Sequence, residues 1–235
     1  MYKRVLLKLS GEQLQGKFDG GIDTDRIVWI ANEIKKAQTS GAQIVVVVGG
    51  GNYVRGAQMA GGGIKDASAH NMGMLATMIN AIAVGDVFQA SDLDNRVLST
   101  IKADQVIDQF TARRAISHLE KGRVVIMGGG SSRPFFTTDT SAVQLALELE
   151  CDVVMKATKV DGVYNSDPAK NPEAKKYDQL TLKEAVEHPE IKVMDKAAMA
   201  MAAENKQSIM VFELLKEDNI ARAIQGEAVG TSVTD

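Results

Sequence analysis

The sequence predicts an α/β protein built around a mainly parallel β-sheet, and two patterns carry this prediction. The first is a set of short apolar runs, such as IVVVV at 44–48 and VVIM at 124–127, which are typical of strands buried on both faces. The second is the alternation of these runs with helical patterns, such as Ile27, Ile30 and Ile34. Strands that alternate with helices cross over right-handed and form a parallel sheet.

The same reading places the other elements in chain order. Strands are expected at 3–10, 44–48, 96–99, 105–108, 123–127, 152–156, 209–214 and 229–234, the last as a closing edge strand. Helices are expected at 24–40, 70–90, 111–120, 140–149, 181–188, 195–205 and 218–225. Their starts are marked by residues suited to capping, Asp23 or Thr24, Thr111 and Thr181, and Gly122 marks one stop. The polar segment 168–180 is expected to be exposed.

Composition narrows the function class. The 235 residues carry 27 basic and 30 acidic side chains, a net charge of −3, with the two signs well mixed and only 5% aromatic residues. No basic stripe or aromatic platform for nucleic acid is present. The single Cys151 is expected to be a buried, reduced thiol. No run has the length or pattern of a signal peptide or membrane span, so we expect a soluble, cytoplasmic protein of one domain, residues 1–235.

Three predicted strand ends have the residues of an anion site. Lys8, with Ser10 and Gly11, ends the first strand; Gly49–Gly51 ends the second, with Arg55 four residues on; Gly128–Gly130 ends a third. Ligands of parallel sheets bind beyond the carboxyl ends of strands, and glycine lets the backbone approach them. Cationic side chains and backbone amides bind phosphoryl oxygens. The sequence therefore predicts a site for phosphate-bearing ligands.

Two of these residues have a competing interpretation. Lys8 could be a solvated edge lysine, but its place at the end of a buried strand favours a side chain that points at an anion. Asp139, at the start of a helix, could cap that helix or could hold Lys8 in position. Spacing alone does not separate these two roles of Asp139.

The sequence lacks the motifs of several other kinds of active site. The sequence has no G-x-x-x-x-G-K-[ST], G-x-G-x-x-G or G-x-S-x-G, and its His and Cys positions lack metal-ligand spacing. Phosphoryl transfer to a phosphate acceptor needs cations and positioning, with Mg²⁺, and no general base.

Two apolar or glycine-rich segments leave alternatives. The helix at 70–90 has a broad apolar surface, which indicates either packing on a partner subunit or complete burial. The glycines at 61–63 follow no strand and are expected to form a flexible flap, not a second phosphate-binding turn.

Several motifs, in order and nearly end to end, resemble the bacterial uridylate kinases of the amino acid kinase superfamily. They are KLSGE, VGGGNYVRG, NMGMLAT, PFFTTDT, KATKVDGVYNSDP, KVMD and GTSVTD. The resemblance implies a three-layer α/β/α sandwich, an acceptor-binding N-terminal part and an ATP-binding C-terminal part. It implies phosphorylation of UMP to UDP by ATP with Mg²⁺, and a homohexamer built from dimers.

The resemblance also assigns residues to the site. ATP would be bound by Lys8, Leu9, Ser10, Gly11, Gly51, Arg55, Thr158, Tyr164 and Asp167. UMP would be bound by Gly50, His70, Ser131, Ser132, Arg133, Pro134, Phe135, Phe136, Thr137 and Thr138. Lys8, Arg55 and Asp139 would act in catalysis, with Asp139 orienting Lys8, and no protein side chain is assigned to a metal.

The sequence departs from the family pattern at two places. His70 stands where the family has an aspartate that bonds the UMP ribose, and a neutral imidazole accepts only one hydrogen bond. Arg133 stands in a loop that the family writes G-T-G-N-P, and we expect it to lie in solvent. A nucleotide-sensing regulator of the same fold, a sister kinase of acyl groups and, more distantly, a dehydrogenase are the competing hypotheses.

Overall fold

The computed structural model describes residues 1–54, 63–188 and 190–235. The strands in these ranges are β1 (Arg4–Leu9), β2 (Gln43–Val48), β3 (Asn95–Ser99), β4 (Asp108–Gln109), β5 (Val124–Gly128), β6 (Val153–Thr158), β7 (Val163–Tyr164), β8 (Lys176–Tyr177), β9 (Gln179–Thr181), β10 (Ile209–Glu213) and β11 (Gly230–Thr234). The helices are α1 (Gly11–Leu14), α2 (Thr24–Gln38), α3 (Asp66–Ala90), α4 (Ala112–Leu119), α5 (Thr138–Glu148), α6 (Leu182–Glu187), α7 (Lys196–Glu204) and α8 (Asn219–Ile224).

Nine of these strands form one sheet, in the order β4-β3-β5-β2-β1-β6-β10-β11-β9. Neighbouring strands from β4 to β10 are parallel, whereas β11 runs antiparallel to β10 and β9 runs parallel to β11. This confirms the predicted α/β class and its mainly parallel sheet. The prediction that 229–234 closes the sheet is wrong, because β9 pairs outside β11.

Side chains alternate between the two faces of this sheet, and both faces are covered by helices. Val5, Leu7 and Leu9 of β1 pack in one apolar core, with residues of α2, α3 and α8. Leu6, between them, points to a second core, which includes residues of α4, α5, α6 and α7. Helices on both faces confirm the three-layer α/β/α sandwich that the resemblance implied, and strands buried on both faces explain the continuous apolar runs.

The helix starts follow their capping residues. Asp23 accepts from the amides of Asp25 and Arg26 at 3.1 and 3.4 Å, so Asp23 caps α2 and Thr24 is its first residue. Thr111 and Thr181 cap α4 and α6, as predicted. Capping therefore gave these boundaries to within a residue or two.

Three short elements differ from the prediction. The turn expected at Ser10 and Gly11 begins α1, where Gln13 Oε1 accepts from the Ser10 amide at 2.8 Å. The strand expected at 105–108 is mostly a turn, and β4 begins at Asp108. The segment 168–180 contains β8 and the start of β9, and Leu180 within it is 6% exposed. Elements of two to four residues are too short for a periodic pattern to reveal.

Helix α3 begins at Asp66, four residues before the predicted start, and it is not wholly buried. Met74, Met78 and Phe88 are buried, but Leu75 is 51% and Ile79 50% exposed. The alternative of a completely buried helix is therefore wrong. In the described residues α3 is the one helix whose length and composition would suit a membrane span, and half of its most apolar window is buried, as in a core helix. The predicted flap at 61–63 lies mostly outside the described residues.

Cys151 lies against the second core and is 7% exposed. Burial raises the pKa of its thiol to about 12. The expectation of a buried, reduced thiol is consistent with this environment.

Candidate active site

The ends of β1 and β2 meet through direct backbone contact. The Gly49 amide donates to the Leu9 carbonyl at 2.8 Å, beyond the last paired residues of the two strands. A Cβ placed on Gly11 would lie 2.6 Å from the Gly51 nitrogen, so only glycine permits this approach. The structure thus brings together two of the three predicted strand ends at one edge of the sheet.

A buried cluster of two lysines and one aspartate occupies this edge. Lys8 Nζ lies 2.8 Å from Asp139 Oδ1, and Lys156 Nζ lies 2.7 Å from Asp139 Oδ2. Lys156 Nζ also donates to the Val193 carbonyl at 2.8 Å. Lys8 and Lys156 are paired in register on the neighbouring strands β1 and β6, so their side chains leave the same face of the sheet. The structure therefore favours a Lys8 that points at an anion over a solvated edge lysine.

The charges in this cluster shift the ionisation of its members. Burial would raise the pKa of Asp139, but the positive charges of Lys8 and Lys156 outweigh it and hold that pKa below its usual value. Burial, together with the charge of Lys8, lowers the pKa of Lys156 despite the attraction of Asp139. With all three groups ionised the cluster carries a net charge of +1, which favours an arriving anion.

Helix α5 presents Asp139 to the lysines, and its start is held by other residues. The side chain of Thr137 caps α5 by accepting from the Asp139 amide at 3.0 Å. The interpretation of Asp139 as the cap is therefore wrong, although its place in the first turn still favours a negative charge. Thr140 Oγ1 donates to the carboxylate of Asp195, which in turn caps α7 by accepting from the Ala198 amide at 2.9 Å.

A cavity of about 250 Å³ lies beside the glycine turns, lined by residues that follow β2 and β5, by α3 and by the start of α5. Five residues assigned to UMP line it: Gly50, His70, Phe136, Thr137 and Thr138. Gly51, assigned to ATP, and Gly130, after the third strand, line it as well. The third predicted strand end therefore joins the other two.

The rest of the predicted acceptor loop lies outside this cavity lining. Ser131 Oγ donates to the Arg133 carbonyl at 2.9 Å, which folds the loop on itself. Arg133 is exposed, as expected, and Ser132 is exposed too. Phe135 is 65% exposed, and its ring centroid lies 5.0 Å from that of His70. Pro134, between Arg133 and Phe135 in the chain, is partly buried.

Comparison with known proteins places this fold in a family. The family model described as the amino acid kinase family matches residues 3–213. The chain belongs to the amino acid kinase family. Three solved structures resemble it over nearly their whole length. They are a UMP kinase from Bacillus anthracis (37% identity, TM-score 0.95, 100% of this chain and 96% of that one), a UMP kinase from Ureaplasma parvum (33%, 0.92, 100% and 100%) and a uridylate kinase from Archaeoglobus fulgidus (30%, 0.76, 98% and 99%).

The residues assigned to ATP are more dispersed in this amino acid kinase. Thr158 lines a cavity of about 260 Å³ with Glu12, Gln13 and Arg26. Tyr164 Oη donates to Asp161 at 2.7 Å, and the structure places Tyr164 in the lining of neither this cavity nor the larger one described next.

Three further ATP assignments differ in their surroundings. Asp167 is exposed and accepts from the Ala169 amide at 3.0 Å. The Leu9 side chain is fully buried in the core, which leaves only its backbone for a ligand. Arg55 lies outside the described residues.

The cavity that Lys156 lines was not predicted from the sequence. It has a volume of about 800 Å³ and is lined by Lys156 together with residues of 185–187 and 191–200. Its walls come from β6, α6, α7 and the connection between those helices, which no single motif joins. The one available signal was Lys156 itself, because the run DVVMK ends in a lysine and KRVLLKLS carries Lys8 two residues before its end.

Proposed function

We propose that this amino acid kinase transfers the γ-phosphoryl group of ATP to UMP, giving UDP and ADP. The observation that carries the proposal is the Lys8–Asp139–Lys156 cluster, which is bordered by two cavities. Lys156 lines the 800 Å³ cavity, and Thr138, next to Asp139, lines the 250 Å³ cavity. A reaction between two anions needs a cation where they meet. The resemblance to three UMP kinases supports uridylate as the acceptor.

The proposed chemistry needs no general base. An oxygen of the UMP phosphate, already anionic, forms the new bond to the γ-phosphorus, and the bond from that phosphorus to the β–γ bridging oxygen breaks. Lys8, oriented by Asp139, would lie against the transferred phosphoryl group and balance its charge. The amides of Gly50, Gly51 and Gly130 would bind phosphate oxygens, since those of Gly49 and Gly129 already donate to the Leu9 carbonyl and to Thr77 Oγ1. We propose that Arg55 adds a second cation.

Mg²⁺ is proposed to arrive with ATP, bound to its phosphates, where it neutralises their charge. The donor set fits this role. The described residues contain no group of three or more His, Cys, Asp or Glu side chains able to hold a metal ion, and both oxygens of Asp139 face lysines. We propose no metal ligand from the protein.

The donor nucleotide is proposed to occupy the 800 Å³ cavity, with its phosphates toward Lys156. ATP is too large for the other two cavities, at about 250 and 260 Å³, to hold it whole. This modifies the assignment from resemblance, since Thr158 lines the 260 Å³ cavity and neither Tyr164 nor Asp167 lines the 800 Å³ cavity.

The proposal includes the setting of the enzyme. We propose a cytoplasmic, single-domain protein that binds ATP and UMP and neither nucleic acid nor membrane, and that assembles as a homohexamer of dimers. The exposed Leu75 and Ile79 on α3 support a subunit contact at that helix.

The experiment is incubation of the protein with ATP, Mg²⁺ and each nucleoside monophosphate in turn, with product separation by chromatography. We expect UDP from UMP and little product from the other acceptors. Turnover of another acceptor without UDP formation would contradict the substrate assignment. Tight UMP binding with negligible product would instead identify a nucleotide-sensing regulator.

A further inference from the structure

The buried face of α3 lies directly on both glycine turns of the acceptor cavity. A Cβ added to Gly50 would lie 2.6 Å from the carbonyl oxygen of Gly73 in α3. One added to Gly128 would lie 3.1 Å from the Cα of Met78, one turn further along the helix. The helix backbone therefore touches the turn after β2 and the turn after β5, which are neighbouring strands.

Asn80 of α3 bonds to the first of these turns. Asn80 is fully buried, and its Nδ2 donates to the Gly49 carbonyl at 2.6 Å and to Asn52 Oδ1 at 2.7 Å. Asn52 Nδ2 donates in return to Asn80 Oδ1 at 3.0 Å and to the Gly21 carbonyl at 2.7 Å. Every amide N–H of this pair is used.

Thr77, one turn earlier on α3, bonds to the second glycine turn. Its Oγ1 accepts from the Gly129 amide at 2.8 Å and donates to the Met74 carbonyl at 2.7 Å. Thr77 is 3% exposed and also lines the acceptor cavity. The same helix face thus makes a polar contact with each turn, three residues apart.

Thr77 and Asn80 add less stability at these positions than apolar side chains would, which indicates a role other than stability. The face of α3 that carries them is otherwise apolar, and buried amides and hydroxyls add less stability than apolar side chains of the same size. The last ladder pair of β2 with β5 is Val47 with Met127, so pairing between these two strands does not set the separation of the turns beyond it. Gly49 is also bonded to Leu9 and Gly130 to Thr100, but neither bond joins one turn to the other. The contacts from Thr77 and Asn80, which lie on one helix, join the two turns.

We infer that Thr77 and Asn80 are positioning residues that fix the separation and orientation of the two glycine turns, and through them the shape of the acceptor site. They act through the turns' backbone and bind no ligand themselves in this role. The inference rests on the proposed function only for the identity of the ligand that fills the cavity.

Two sets of variants test the inference. For the first contact, Asn80→Leu and Asn52→Leu are compared with the double variant. Each single variant leaves a buried side-chain amide without its partner, whereas the double variant leaves apolar groups of similar volume facing each other. Only the Gly49 and Gly21 carbonyls then lack these donors, so part of the lost melting temperature should return. For the second contact, Thr77→Val removes the hydroxyl at nearly constant volume, and Thr77→Ser keeps it.

We expect the double variant to regain melting temperature without regaining kcat/KM. In the double variant, kcat/KM for UMP should stay about 10- to 100-fold below wild type although the melting temperature partly recovers, because a misplaced turn misplaces the acceptor. Thr77→Val should show a similar loss, Thr77→Ser should restore the wild-type value, and the KM for ATP should stay close to wild type in all of them. Recovery of kcat/KM together with stability, or wild-type kinetics in Thr77→Val, would overturn the inference.

A second readout is independent of any substrate. Amide hydrogen exchange at Gly129 should be faster in Thr77→Val than in wild type and Thr77→Ser, and unchanged exchange there would count against the inference. If wild type itself turns over another acceptor, the proposed function fails, and the same variants are then measured with that acceptor. Failure of the substrate assignment thus appears in wild type, and failure of the positioning role appears only in the variants.

Discussion

Lys8 and Lys156 stand opposite each other on neighbouring strands, an arrangement that a stability argument alone would disfavour. Like charges in register repel, and burial removes the water that would screen them. Asp139 lies within 2.8 Å of both ammonium groups and compensates this repulsion. The site therefore holds its cations at the expense of stability, as phosphoryl transfer requires.

The first prediction concerns the pH dependence of this cluster. Asp139→Asn leaves two buried cations without a counter-charge, and we expect it to lower the free energy of unfolding by about 3 kcal/mol at neutral pH. The folded-state pKa of Asp139 lies below the ordinary 3.8. Its contribution is therefore complete above about pH 5 and is lost as the pH falls through the folded-state value. Urea unfolding of both proteins between pH 7 and 3 measures it, and a difference that does not shrink on acidification would contradict the ion pairs.

The second prediction concerns Lys8. Lys8→Ala should lower kcat by about 10³-fold or more, because a cation at the transferred phosphoryl group is worth that much. Lys102→Ala is a matched control, since the Lys102 side chain is 72% exposed and its one ion pair among the described residues is with Asp104, at 3.4 Å. Steady-state rates of UDP formation by wild type and both variants measure this loss. A near-normal rate for Lys8→Ala would remove this residue from the mechanism.

The third prediction concerns His70, which lines the acceptor cavity. His70→Asp should lower the KM for UMP, because a carboxylate accepts two hydrogen bonds from a ribose where a neutral imidazole accepts one. His70→Asn, which is uncharged, is the control. An unchanged or raised KM in His70→Asp would show that the ribose is held elsewhere.

At the element scale, residues at strand ends were predictable, and the resemblance gave Asp139 as the partner of Lys8. The polar partners of the glycine turns were not predictable. Lys8 and the two glycine triplets follow continuous apolar runs, so the rule for parallel sheets placed them at one edge. Thr77, Asn80 and Asp195 sit inside or just before helices, where their types suggest nothing beyond capping or polarity. Only the packing of α3 across the glycine turns gives Thr77 and Asn80 their contacts.

Helix α3 also carries the fourth prediction. Its opposite side exposes Leu75 and Ile79 by about half, at a spacing of four residues that puts them on one stripe. Leu75→Glu combined with Ile79→Glu should dissociate the proposed dimer contact, because it places charges where an apolar contact forms. Light scattering coupled to size exclusion measures the mass, and Val106→Glu, at a 66% exposed position outside α3, is the control. An unchanged mass would exclude this stripe as a subunit contact.

At the scale of the whole molecule, the sequence predicted the central strands of the sheet better than its edge strands. Central strands such as β1 and β2 are buried on both faces, and their apolar runs mark them clearly. The edge strands β4 and β9 have two and three residues, so one was misplaced and the other missed. The 800 Å³ cavity combines Lys156 with segments some 30 to 45 residues later, and such a juxtaposition exists only in the folded chain.

The environment of Cys151 has a practical consequence for spectroscopy. It is the one cysteine in the sequence, and a thiol with a pKa of about 12, shielded from solvent, does not react with maleimides at neutral pH. A cysteine introduced on a solvent-facing loop would then be the sole point of attachment for a fluorophore or spin label. Distances between labelled copies could be read without first deleting a native residue.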